Sequence, residues 1–296
     1  MRVLQSIVFR LGLAGLGLLL ALPPAMADES PAPEARRIVS IGGDVTEIIY
    51  ALGEEARLVG RDSTSLFPPQ ALALPDVGYM RQLSPEGVMS TNPDLILATE
   101  GSGPPETLAV LTNAQVRFET VPERYDPQGI AAKIGQVSAL LGVPEKAAAL
   151  TRAVEADLAA AAADAAKRPE TARRRVLFIL SMQGGKVMAA GGGTAADAII
   201  GLSGAINAAG AFTGYKPMTD EAIITARPDV VLMMTRGGTH AASDGDLFVH
   251  PALALTPAAR TKHVIRMDGL QLLGFGPRTA AAIRMLNAAI YDGERK

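Results

Sequence analysis

Two Rossmann-like α/β lobes joined by a long rigid helix, with a ligand cleft between them, are the fold class this sequence predicts. Three observations predict it. Short apolar runs of strand character alternate with helical spacing in both halves. An alanine-rich, strand-free stretch separates the halves, and the two halves overlay at a shift of 135 residues, which carries Glu86 onto Glu221. Alternation of this kind implies parallel sheet, and a duplicated lobe about a connector leaves a cleft where the strand ends face each other.

The first 27 residues stand outside the fold. They carry Arg2 and Arg10 without an acid, an apolar run over residues 11–22 (LGLAGLGLLLAL), then Pro23-Pro24 and the small residues Ala25-Met26-Ala27. That order is an export signal cleaved before Asp28, and the run is shorter than the roughly 20 residues of a spanning helix. Removing those two arginines takes the formal net charge from −2 to −4, which offers no general attraction to nucleic acid or anionic lipid. Cysteine is absent, so neither a disulfide nor a lipid-bearing cysteine is expected. A soluble periplasmic protein without a lipid anchor is the reading, and a monomer is expected.

Organised sequence begins after a leader over residues 30–34 (SPAPE). "IVSIGG" is the first strand. Val45, Ile48, Ile49 and Leu52 share one face of the helix that follows, and Gly53 ends it. "ARLVGRD", "PDLILAT" and "AQVRFET" supply three more strands and complete a first lobe over residues 28–125. Residues 126–168 form a helical linker. Asp126-Pro127 cap one helix that Gly142 ends, and Pro144-Glu145 start another that runs to about Arg168. Its alanines favour helix, and at about 1.5 Å per residue it makes a rod of roughly 36 Å. The strand-first pattern restarts in residues 169–296 with "RRRVLFIL", "KVMAAGG", a helix from Thr194, and "PDVVLMMT". In both halves opening arginines precede a strand. Glu86 stands seven residues before Pro93-Asp94, and Glu221 seven before Pro228-Asp229.

The stretch "GYMRQLSPEG" (78–87) places Tyr79 and Arg81 on a turn before a helix that starts at Ser84-Pro85-Glu86. The residues alone leave two readings open. One is a packed aromatic beside a surface charge. The other is a phenolate ligand for a hard metal ion, favoured by the neighbouring cation. Other features carry less. Gly191-Gly192-Gly193-Thr194-Ala195-Ala196 spells GxGxxA, but it lacks a clear acidic strand end about 20 residues on, so a turn or cleft wall is expected. His250 and His263 flank helix and strand starts and are read as structural or exposed. His240 sits in the loop "TRGGTHAASDGD", and Arg236, at the end of "VLMMT", is a pocket candidate because strand ends face the cleft. "GFGPR" (274–278) is a further cleft turn. No metal-binding spacing of His, Asp or Glu occurs. An exported enzyme would need a nucleophile with a base and an orienting acid, and Ser40, Ser63 and Ser181 have no histidine in such a pattern, so no catalysis is expected.

"RIVSIGGDVTEIIYALG", "LPDVGYMRQLSPEGVMSTNPDLILAT", "MAAGGGTAADAIIGLSG" and "HPALALTPAAR" together resemble the periplasmic haemin-binding proteins of bacterial ABC importers, from Arg36 to the end of the chain. The resemblance implies that Tyr79 is the axial ligand of a ferric haem carried as cargo, and that Arg81 hydrogen-bonds the phenolate or meets a propionate. It implies that Glu86 and Glu221 dock onto arginines of an ABC permease dimer with its ATPase, downstream of an outer-membrane haem receptor system. Some relatives hold a second haem through a histidine after the "LFILS" strand. Here that place reads Ser181-Met182-Gln183-Gly184, so one haem is expected. The same scaffold carrying a ferric siderophore or cobalamin is the alternative cargo reading.

Overall fold

The computed structural model describes residues 35–235 and 244–291. In the first half, β1 (Ile38–Ile41), α1 (Gly43–Ala51), β2 (Leu58–Arg61), α2 (Pro85–Met89), β3 (Leu95–Thr99), α3 (Pro105–Asn113) and β4 (Arg117–Val121) build a four-stranded sheet in the order β2-β1-β3-β4. Every pairing in it is parallel, with Ile38 level with Leu58 and Leu95, and Leu95 level with Arg117. Two helices follow, α4 (Pro127–Leu140) and α5 (Pro144–Ala166). The second half contains β5 (Arg175–Gln183), β6 (Lys186–Ala190), α6 (Ala195–Leu202), β7 (Ile206–Asn207), β8 (Tyr215–Met218), α7 (Asp220–Ala226) and β9 (Val230–Met234). After these come α8 (Asp244–Val249), α9 (Pro251–Ala254), α10 (Pro257–Thr261), β10 (Val264–Met267), α11 (Gly269–Leu273) and α12 (Thr279–Tyr291). Its sheet runs β10-β9-β5-β6-β8, with β7 beside β5.

Side-chain alternation along the strands explains how one chain makes two lobes with a shared interior. Ile38, Leu95, Leu97, Val176, Phe178, Val230 and Leu232 point into one common core. Their strand neighbours Val39, Ile41, Ile96 and Ala98 face a separate core in the first half, while Leu177, Ile179, Val231 and Met233 face another in the second. The linker helices close the common core: α4 through Ile130, Ile134 and Val137, and α5 through Val154, Leu158 and Ala161. The 23 residues of α5 span roughly 35 Å. α5 packs on α4 along one side and on α12 along another, which makes it the beam between the halves.

The duplication extends to single hydrogen bonds. Asn92 and Arg227, 135 residues apart, both take the left-handed region, at φ 49° and 45°: Arg227 as the cap of α7, and Asn92 in the turn that follows α2. The next carboxylates match as well: Asp94 accepts from the backbone of Arg36 and Arg37 at 2.9 and 3.0 Å, and Asp229 from the backbone of Arg175 at 2.8 Å. The guanidinium of Arg37 reaches the carbonyls of Thr91 and Asn92, and that of Arg175 the carbonyl of Ala226. The opening arginines thus clamp the Pro-Asp turn beneath each sheet.

The second sheet departs from the parallel pattern expected of a second Rossmann-like lobe. β5 turns back on β6 through Gly184-Gly185, and β6 pairs antiparallel with both β5 and β8. Both glycines have positive φ, 56° and 75°, the requirement of a tight hairpin whose twist matches its strands. The sheet is therefore mixed, parallel over β10-β9-β5 and antiparallel beyond.

Candidate functional site at the lobe junction

The turn carrying Tyr79 and Arg81 is held at both ends. Val77 and Leu83 are buried, at 5% and 4% exposure. The Val77 backbone donates to Arg61 at 2.9 Å, the Met80 carbonyl accepts from Gly103 at 2.9 Å, and Leu83 donates back to Gly103 at 3.0 Å. Between these fixed points Tyr79 stands 41% exposed and makes no side-chain hydrogen bond with any described residue. No hydrogen bond joins it to Arg81. Burial raises the hydroxyls of Tyr125 and Tyr215, one from each half of the chain, and the Arg81 charge only partly opposes it.

Glu86 and Glu221 occupy equivalent places, each the second residue of its helix and each exposed. Ser84 caps the first helix by accepting from Gly87 at 3.1 Å, and Thr219 caps the second by accepting from Ala222 at 3.2 Å. Hydrogen bonds from its own backbone and the Thr219 hydroxyl hold the Glu221 carboxyl below the usual range, so it is ionised at neutral pH.

A charged cluster absent from the sequence analysis joins α1, α4 and the segment after β4. Lys133, on α4, is fully buried and binds both Asp44, at the start of α1, and Glu123, beyond β4. Asp44 also accepts from the Thr99 hydroxyl at 2.9 Å. The sequence did contain a signal: Ile130, Lys133, Ile134 and Val137 make an apolar stripe with a lysine inside it. Burial pushes the Lys133 ammonium down, but the two carboxylates outweigh it and raise its pKa. Burial, then the Asp44 charge, push the Glu123 carboxyl from 4.5 to about 7 against the pull of Lys133. A carboxyl with a raised folded pKa adds stability that is complete below pH 4.5 and lost as pH rises through about 7. Over that window the loss is roughly 3 kcal/mol. Urea midpoints taken from pH 5 to 8 are expected to fall in the parent, and Glu123→Gln to flatten that fall. A variant with the parent slope would assign it to another acid such as Glu47, which burial also raises.

Two residues beyond Glu123, Tyr125 meets Phe275 of the "GFGPR" turn edge-on at 5.3 Å. Three residues further along that turn, Arg278 pairs with Glu47 of α1 at 3.0 Å and lies 3.6 Å over the Phe67 ring. The turn expected to line the cleft thus binds the first half. A crevice of about 520 Å³ beside this contact is lined by Glu47, Tyr50, Phe67, Gln70, Pro277 and Arg278. Of the sequence-predicted site residues that are described, Tyr79, Arg81, Glu86 and Glu221 are not among its lining.

The glycine-rich motif is a turn. Asp197 accepts from the backbone of Gly193 at 3.1 Å and from Asn207 at 2.9 Å, and Thr194 caps α6 by accepting from Asp197 at 3.1 Å. The protein's own carboxylate fills the place a phosphate would take. His250 is buried with Nε2 2.9 Å from the Gly185 carbonyl, and His263 contacts Arg174 and the Ala289 carbonyl; both are structural, as expected. Met182 packs beside the core under the β5–β6 hairpin. Arg236, His240 and the export signal over residues 1–27 lie outside the described residues. Among the described residues no cluster of three or more His, Cys, Asp or Glu side chains is placed to hold a metal ion, and no helix is long and apolar enough to cross a membrane.

Similarities to known proteins run along the same chain. Periplasmic haem-binding protein BhuT, solved with two haems, is 41% identical with a TM-score of 0.81 over 86% of this chain and 98% of its own. The periplasmic haem-binding protein RhuT from Roseiflexus sp. RS-1, solved in apo form, is 40% identical with a TM-score of 0.82 over 87% of this chain and 98% of its own. A vitamin B12-binding protein of Vibrio parahaemolyticus serotype O3:K6 (strain RIMD 2210633) is 27% identical over 252 residues, 83% of this chain and 86% of its own. The periplasmic binding protein model matches residues 38–269, and with the two-lobed fold and these solved relatives the chain belongs to the periplasmic binding protein family.

Proposed function

We propose that this protein captures one ferric haem between its lobes in the periplasm and hands it to an ABC permease dimer driven by its ATPase, performing no reaction on the cargo. The observation that carries the reading is the Tyr79 turn: a phenol without a hydrogen-bond partner among the described residues, fixed between two buried anchors, with an arginine two residues on. Fe(III) favours an anionic oxygen donor, and an oxidising compartment keeps the iron ferric. Tyr79 ligates the iron while Arg81 and Arg236 face the propionates. The kinship with two haem-binding proteins at 40% identity or more over most of the chain supports haem over other cargo.

Residues 1–27 act as a cleaved export signal, and without cysteine the mature protein, a monomer, carries no lipid. An outer-membrane haem receptor system supplies the cargo. Cobalamin is the second reading, favoured by the 27% identity to a vitamin B12-binding protein. Parallel titrations with ferric haemin and cyanocobalamin test the choice: saturation by haemin alone is expected, and saturation by cyanocobalamin alone would replace the reading.

Glu86 and Glu221 present one carboxylate from each half of the duplication to the two permease subunits. The double variant Glu86→Ala, Glu221→Ala is expected to lower cellular haem uptake several-fold while purified protein binds haemin as the parent does. Loss of haemin binding in that variant would overturn the docking assignment.

A further inference from the structure

Tyr79 is 41% exposed and its hydroxyl bonds to no described residue, so its direction depends on the backbone that carries it. That backbone is pinned on both sides. Gly78, at φ 104°, takes a conformation open to glycine and strained for other residues. Its amide donates to Asp76 Oδ1 at 2.9 Å, and its carbonyl accepts from the Ser63 amide at 2.9 Å. Both peptide planes that bound Gly78 are held, which fixes its two torsions. The Tyr79 carbonyl in turn accepts from the Gln82 amide at 2.7 Å. What freedom is left to the phenol lies in its own side-chain rotamers.

Ser63 and Gln82 contribute backbone groups, which other residues would supply as well. Asp76 contributes a side chain, and its two oxygens are divided. Oδ1 takes the Gly78 amide in an Asx turn, and Oδ2 takes Nη1 of Arg61 at 2.9 Å. Arg61, the last residue of β2, is 8% exposed, and the same Nη1 donates to the Asp62 carbonyl at 3.0 Å. Beside this pair the chain runs along the end of β2 as a short parallel bridge. The Arg61 amide donates to Pro75 and its carbonyl accepts from Val77, both at 2.9 Å. The Asp76 side chain is 43% exposed, and the buried guanidinium holds it on the turn rather than in solvent. One chain of bonds thus runs from the sheet through Arg61 and Asp76 to the glycine before Tyr79.

We propose that Asp76 is a positioning residue for Tyr79: anchored by Arg61, it holds Gly78 in the conformation that presents the phenol to the cargo iron. The proposal rests on the haem reading above. Without the Asp76 oxygen the peptide before Gly78 can turn, and the phenol points elsewhere for part of the time. The apparent affinity then falls with the fraction of protein that is correctly posed.

The test titrates ferric haemin into the parent, Asp76→Ala and Asp76→Asn, each with and without Tyr79→Ala, and records absorption spectra and urea midpoints. Both Asp76 variants take the carboxylate away from Arg61, so their midpoints are expected to fall alike. Only asparagine keeps an oxygen for the Gly78 amide. Asp76→Ala is expected to bind haemin roughly tenfold more weakly with weakened tyrosinate bands, and Asp76→Asn to recover most of both. In the Tyr79→Ala background neither Asp76 change is expected to weaken binding further, because residues that act through one contact do not add. Parental affinity and bands in Asp76→Ala would overturn the role. An equal loss of affinity in the two Asp76 variants would also overturn it, as would an undiminished loss in the Tyr79→Ala background, since either marks a general loosening of the fold. Failure of the parent itself to saturate with haemin would instead bring down the haem reading beneath it.

Discussion

Tyr79→Ala is expected to weaken ferric haemin binding by roughly 100-fold or more, about 2.7 kcal/mol, and to abolish the absorption bands of a tyrosinate-bound iron. The substitution removes the phenol and leaves the scaffold standing. Tyr79 is 41% exposed, while the buried neighbours Val77 and Leu83 and the Gly103 hydrogen bonds hold the turn. A surface change of this kind shifts stability by no more than about 0.5 kcal/mol. An unchanged urea midpoint beside the lost affinity therefore assigns the effect to ligation. Tyr79→Phe separates ring from hydroxyl: it keeps the apolar contact with the porphyrin and is expected to lose the same bands. A Tyr79→Ala protein with parental affinity and spectrum would return this residue to the role of a half-exposed aromatic and move the ligand elsewhere.

The second large effect is structural. Lys133→Ala is expected to cost about 3–5 kcal/mol at pH 8, because it leaves Asp44 and Glu123 facing each other without their shared cation. The cost is expected to shrink toward pH 5, where Glu123, raised to about 7 by burial and the Asp44 charge, takes up a proton and removes most of the repulsion. Adding Glu123→Gln should recover part of the loss, since residues in one network couple rather than add. Urea unfolding of the single and double variants at both pH values measures this. A Lys133→Ala protein within 1 kcal/mol of the parent at pH 8 would contradict it. The cluster joins α1, the segment after β4 and α4, two residues before the Tyr125 that meets Phe275.

Much of the fold was legible in local chemistry. Pro93-Asp94 and Pro228-Asp229, with their upstream arginines, mark the repeat because both aspartates accept from the backbone of an upstream arginine. Ser84 and Asp126 announced their helices by capping them. The antiparallel hairpin is hard to read from sequence because "KVMAAGG" has the apolar character of a parallel strand, and its direction depends only on the two-residue turn Gly184-Gly185. One cluster was hidden from sequence. Lys133 and its carboxylates lie 89 and 10 residues apart, so no spacing rule connects them. The Tyr79 turn was visible from its residues, and the structure adds the bonds that hold it open.

Ferric haemin titrated into the purified apo protein, followed by absorption, tests the central claim most directly. The result expected is saturation at one equivalent with the bands of a high-spin, five-coordinate tyrosinate-bound iron. A titration with no saturable change, or a spectrum without tyrosinate character, would contradict it.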